Sequence, residues 1–274
     1  MRMRSVANVL SPIPLEKNGA FINIIEALRV LAKEDYEGST PLMTFRTFNY
    51  PQPPIALTSP TLSPIERKYV IWGLLLAWAW LSHPGRALVT HFDLFWDNQP
   101  VGGILFGSLD LYAQHDNNGS NTAVKDHAES QELKVPMEGF SNVRKFSNSQ
   151  LAEVFSYFRG GAMTKENMQL SLLYALSQMA RYPIDTPIID NWRPRFQEDR
   201  CLFFAQKIVS ASPVAFNFRW LIEATGIMAN FIVRSGKYRN LNGLLLLDGH
   251  AIGNIMLFSR LHFNETAASA VAAF

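Results

Sequence analysis

His91 and Asp93 are the two side chains whose types and spacing best suit proton transfer. They fall in Ala87 to Trp96, an apolar run of strand length, and on a strand residues i and i+2 point to the same face. A histidine oriented by a carboxylate is a recurrent acid–base unit, so the pair is the candidate catalytic group. The same alternation also fits a half-buried sheet with one wet face.

Other residues are candidates for binding a ligand. Arg260 and His262 share a face in the same way on the run Ile252 to Phe263. The tract Trp192-Arg193-Pro194-Arg195-Phe196 sets two cations among aromatics, and a guanidinium offers paired donors to a carboxylate or phosphate. Arg46 lies in the corresponding region earlier in the chain, which suits a structural role for the tract equally well. Glu223 stands among Leu221, Ile222 and Ala224, with Arg219 one turn before it. It reads either as a buried acid in need of a partner or as half of a helix-surface ion pair. Trp72, Trp96, Trp192 and Trp220 are the large apolar surfaces a ligand would meet.

Several chemistries have no motif here. There is no G-x-G-x-x-G after a strand, no phosphate-binding G-x-x-x-x-G-K-[ST], no H-E-x-x-H, no C-x-x-C and no G-x-S-x-G. The histidines at 83, 91, 115, 127, 250 and 262 show no metal-ligand spacing. The expectation is therefore a site without metal or cofactor.

The elements that would position these residues are legible from an internal repeat. Residues 15–33 align without a gap on residues 163–181, with Ala27-Leu28 on Ala175-Leu176. The match continues through Trp72 with Trp220 and Asp97 to Gly102 with Asp248 to Gly253. A duplication of about a hundred residues follows. The expected fold is α+β, with two helix–strand–helix–hairpin repeats packed in pseudo-twofold symmetry around a shared core.

The division reads as an N-terminal segment (1–14), first repeat (15–112), polar linker with a short element (113–162), second repeat (163–263) and tail (264–274), together one compact domain. Val6 to Ile13 and Val154 to Arg159 each read as one more strand. Leu42 to Tyr50 and Ile188 to Phe196 are the first strand-like segments of the copies, each followed by a loop. Ser63-Pro64 and Ser212-Pro213 read as helix starts, since serine caps free amides and proline suits the first turn. Asp248-Gly249 signals a tight hairpin, Asn98-Gln99-Pro100 a longer loop, and Gly160-Gly161 a turn.

Composition limits the function. The chain has 274 residues, of which 48% are hydrophobic and 18% charged, enough to bury a large core. A net charge of +2 with no basic stripe argues against nucleic acid. The apolar stretch from Tyr69 to Leu81 is shorter than the roughly twenty residues a bilayer crossing needs, so membrane insertion is not expected. Cys201 is the single cysteine, which fits a reducing compartment, and no signal-peptide pattern is complete, so the expected location is cytoplasmic.

Two functions suit these features. With 19 Phe, 8 Tyr and 6 Trp, the chain carries more aromatic residues than a core of this size needs. The first reading is therefore a cofactor-free protein that binds an apolar small molecule in a cavity between the repeats, as a cyclase or isomerase of a biosynthetic pathway would. The second is a non-catalytic interaction or assembly module whose aromatic surplus forms a partner surface or homodimer interface.

Overall fold

The computed structural model describes residues 3–110, 112, 143–146, 149–194, 201–208 and 214–259, and the chain divides into two compact units, residues 1–137 and 138–274. The protein is mixed α+β, with antiparallel pairing throughout its sheets.

In the first unit β1 (Met3–Pro14) precedes α1 (Lys17–Leu31), the short strands β2 (Ser39–Thr40) and β3 (Thr44–Phe45), β4 (Ile55–Thr58) and β5 (Ile65–Glu66). α2 (Arg67–Leu81) then leads to the hairpin of β6 (Leu88–Trp96) and β7 (Gln99–Phe106). Its main sheet has the order β1-β6-β7-β4-β3, while β2 and β5 pair apart. α1 starts where the Glu16 carboxylate accepts hydrogen bonds from the amides of Asn18 and Gly19, satisfying two donors that have no intrahelical partner. Every residue from Gly19 to Arg29 is buried, so this helix is covered on all sides. Its polar members are matched accordingly. Asn23 ties the loop above it to the helix, donating to the carbonyls of Tyr50 and Pro53 and accepting from the Thr47 amide, and Glu26 pairs with Arg29. α2 lies on the sheet through Gly73, where a Cβ would stand 2.7 Å from a Leu94 methyl.

In the second unit β8 (Val143–Phe146) and β9 (Ser149–Ala162) precede α3 (Lys165–Met179), β10 (Asn191–Trp192) and β11 (Cys201–Lys207). α4 (Phe218–Ser235) and the hairpin of β12 (Arg239–Leu247) and β13 (His250–Ser259) complete it. The sheet order is β10-β11-β13-β12-β9-β8. Taken from β9 it runs β9, β12, β13, β11, β10, so by place in the chain the strands follow the order of the first sheet, with β8 added outside. The two hairpins share a bulge: the register slips between Leu94 and Phe95 in one and between Leu245 and Leu246 in the other.

Four sequence expectations fail on local chemistry. The helices begin at Arg67 and Phe218 rather than at Ser-Pro: Asn217 caps α4 by accepting from the Trp220 amide, and α2 follows Glu66, three residues after Ser63. Ser212 and Pro213 lie outside the described residues. Asp97 and Asn98 both take positive φ (47° and 68°), so the first hairpin turns on two residues and needs no longer loop. Gly160-Gly161 lies within β9 instead of forming a turn. The loops after the first strand-like segments contain β4 and β11, each paired with the second strand of its hairpin, whereas the expected strands shrink to Thr44–Phe45 and Asn191–Trp192.

Candidate functional site

β6 carries His91 and Asp93 on one face of the first sheet, and α2 packs on the other. Leu94 and Ile104 meet Gly73 of α2, and the Phe92 ring meets Trp80 edge-on, so even-numbered positions of β6 face the helices and odd ones face away. On the far face a polar chain crosses four strands. Thr58 Oγ1 of β4 lies 2.8 Å from His91 Nε2, His91 Nδ1 lies 3.4 Å from Asp93 Oδ1, and Asn8 of β1 donates its amide to Asp93 Oδ2 at 2.7 Å.

Each member is set by register. Asn8 pairs with His91, and Asp93 with Gly103, which in turn pairs with Thr58. The imidazole therefore reaches Thr58 diagonally across Gly103. That position must be glycine: a Cβ there would stand 2.5 Å from His91 Nε2 and closer still to Thr58 Oγ1. The ring of Tyr112 lies 4.6 Å from the imidazole, tilted by 47°. His91 is 5% exposed, and its neighbours on this face, Ala56, Val89 and Leu105, are buried, whereas the Asp93 side chain is 43% exposed. The chain thus runs from an apolar surrounding out to solvent.

The direction of the Thr58–His91 hydrogen bond depends on the imidazole tautomer; with the proton on Nδ1, beside Asp93, Nε2 would accept from the Thr58 hydroxyl, the state in which a neutral histidine serves as a base. At 3.4 Å the Asp93 contact is an ion-pair distance rather than a tight hydrogen bond. Nothing in the sequence singles out Thr58 or Asn8. β4 stands between Pro54 and Pro60 and reads as loop, and no periodicity sets Asn8 beside Asp93.

The other candidates are placed elsewhere. Trp72 is on α2, where its indole donates to the Tyr36 hydroxyl at 2.8 Å, and Trp96 packs on Tyr69 of α2. Both are on the helix side of the sheet, opposite His91, and line no common site with it. In the second unit Trp192 packs edge-on against Phe203 and Phe218, and Trp220 is buried. Arg219 pairs with Asp185 rather than with Glu223, which is fully buried on α4. Arg195, Arg260 and His262 lie outside the described residues.

The second unit holds two further ionisable groups inside. Glu153 of β9 is 2% exposed with neither carboxylate oxygen hydrogen-bonded, and burial holds its pKa well above the usual carboxylate value. Cys201 is buried, and desolvation pushes its thiol up to about 12, too high for a nucleophile. Among the described residues no group of three or more His, Cys, Asp or Glu could hold a metal, and no helix is long and apolar enough to cross a membrane. No family model matches the chain, and no curated protein or solved structure matches it.

Proposed function

We propose that the protein binds an apolar small molecule at the His91 face and acts on it by acid–base chemistry without a cofactor, as a cyclase or isomerase does. The observation that carries this reading is the chain Thr58–His91–Asp93–Asn8, in which a base is oriented on one side and meets a hydroxyl on the other. A substrate hydroxyl or enolisable carbon would take the place of the Thr58 hydroxyl at Nε2. Asp93, fixed by Asn8, would stabilise the imidazolium that forms. The apolar neighbours Ala56, Val89 and Leu105 favour an apolar substrate. Part of the aromatic surplus has a different use, because Phe21, Trp78, Phe92, Phe106, Phe203 and Phe216 fill cores.

The reading includes descent of both units from one duplicated ancestor. Its support is the common strand order and the shared hairpin bulge. Matched by hairpin register, His91, Asp93, Thr58 and Asn8 correspond to Asn242, Leu244, Gln206 and Ser156. One unit kept or gained the acid–base set, and the other has no counterpart.

Native mass spectrometry of the protein purified from its own host tests the proposal, with His91→Gln alongside. A co-purified small molecule that the wild type carries and the folded variant loses or fails to turn over is the expected result. A wild type without any such molecule, or a variant that retains and converts it equally well, refutes it.

A further inference from the structure

Thr58 meets His91 through the ring nitrogen that a histidine base uses to activate a hydroxyl. Its Oγ1 lies 2.8 Å from Nε2, while Nδ1 faces Asp93 at 3.4 Å and Asn8 donates to the other carboxylate oxygen at 2.7 Å. A hydroxyl on Nε2, a carboxylate on Nδ1 and a further group holding that carboxylate is the order in which serine and threonine hydroxyls are made nucleophilic.

Two placements suit Thr58 to that role. It is the last residue of β4, ahead of a turn in which the Leu62 amide donates to the Ser59 carbonyl. It is also half-buried where His91 is buried, so Thr58 is the member of the pair that a solute reaches first. The second unit has Gln206 and Asn242 at the matching positions and carries neither group.

We propose that Thr58 is a nucleophile for acyl transfer and that the first unit hydrolyses carboxylic esters through an acyl-Thr58 intermediate. This rests on His91 being a base and gives that base a second use, in which the Thr58 hydroxyl stays in place as a reactant. With the proton on Nδ1, beside Asp93, Nε2 takes the Thr58 proton as Oγ1 bonds to the ester carbonyl carbon. Collapse of the tetrahedral adduct breaks the bond to the leaving alkoxide, which receives that proton from the imidazolium. Water, deprotonated by the same nitrogen, then attacks the acyl-Thr58 carbonyl; the carboxylic acid leaves and Oγ1 recovers a proton. The sum is ester plus water giving acid plus alcohol, with nothing oxidised or reduced. The Cγ2 methyl beside the attacking oxygen favours short acyl groups.

Two probes on the full chain test this. p-Nitrophenyl acetate reports turnover, and an ethyl fluorophosphonate, which loses fluoride to form a stable ester on an activated hydroxyl, reports the nucleophile by peptide mass mapping. The wild type is expected to be labelled at Thr58. Thr58→Val, which keeps the shape, should lose the label and about a hundredfold or more of the turnover, as should His91→Gln. Thr58→Ser should keep both, and it carries the test even where Thr58→Val fails to fold. Turnover that needs His91 but survives Thr58→Val overturns the nucleophile and leaves the base standing. Labelling at position 58 that is undiminished in His91→Gln overturns both. Absence of label at position 58 in the wild type and in Thr58→Ser overturns the nucleophile whatever the turnover.

Discussion

Glu153 makes stability depend on pH in a direction opposite to that of most carboxylates. Glu153 is the register partner of Leu245, and its carboxyl fills the space left at Gly243, where a Cβ would stand 2.9 Å from the Glu153 Cδ. With 2% exposure and no hydrogen bond to either oxygen, the ionised form loses water and gains nothing in return, so burial raises the pKa of the folded state above the unfolded value of 4.5. Below 4.5 the group is protonated in both states and costs no ionisation energy. As pH rises from there toward the folded-state value, only the unfolded chain releases its proton, and stability falls by about 1.4 kcal/mol per pH unit. Glu153→Gln keeps the shape and removes the titration. It should match the wild type near the acid end and exceed it at neutral pH, while Glu153→Met, which also removes the unpaired polar atoms, should add about 1–3 kcal/mol more. Urea unfolding at several pH values gives the global curve, and hydrogen exchange of peptides from β9 and β12 places the effect in the second unit. Wild-type stability that is flat or rising between pH 4.5 and neutrality, with Glu153→Gln following it throughout, would refute the reasoning.

Two further substitutions address the site and the helix starts. Gly103→Ala pushes a methyl between Thr58 and His91 and should destabilise the first unit by about 1–3 kcal/mol, with a changed His91 Nε2 resonance in nitrogen NMR as the check that the contact is lost. Asn217→Ala removes the cap of α4 and should cost about 1 kcal/mol by denaturant unfolding, whereas Ser63→Ala, at the position the sequence favours as a cap, should change nothing beyond about 0.5 kcal/mol.

What could be read before folding, and what could not, follows from how each signal arises. α1 and α3 are legible because Phe21, Ile24, Ile25, Leu28 and Leu31, or Leu170, Leu173, Leu176 and Met179, repeat at helical spacing; the structure buries all of them but Leu170, which is half-buried. The placement of His91 and Asp93 on one face was legible because a strand period of two has no alternative once the strand exists. Thr58 was not, since β4 is four residues long among prolines and owes its strand conformation to pairing with β7. The two-residue hairpin turn is masked in the sequence by Pro100, which signals a break. It is tolerated in β7 because it stands where the ladder slips, between the pairs Leu94–Gly102 and Phe95–Pro100, and there a missing amide donor costs least. Long-range pairing decides such positions, and no local spacing encodes it.

The far faces of the two sheets carry the sharpest contrast between the units. Where the first has glycine at 103, leaving room for an imidazole to cross the strand, hairpin register puts Asn254 in the second, and the position of His91 is held by Asn242. The side-chain oxygens of Asn242 and Asn254 are buried without a hydrogen bond. A histidine at 242 could not reach Gln206 as His91 reaches Thr58, because the Asn254 side chain stands in the space that Gly103 leaves open. Building the same chain there would need at least three changes together: histidine at 242, an acid at 244 and glycine at 254. Of the four, the buried His91 and the strand-interior Gly103 are the poor choices for packing, and they occur together in the first unit where the second has Asn242 and Asn254. Their joint presence is what the proposed acid–base task would require.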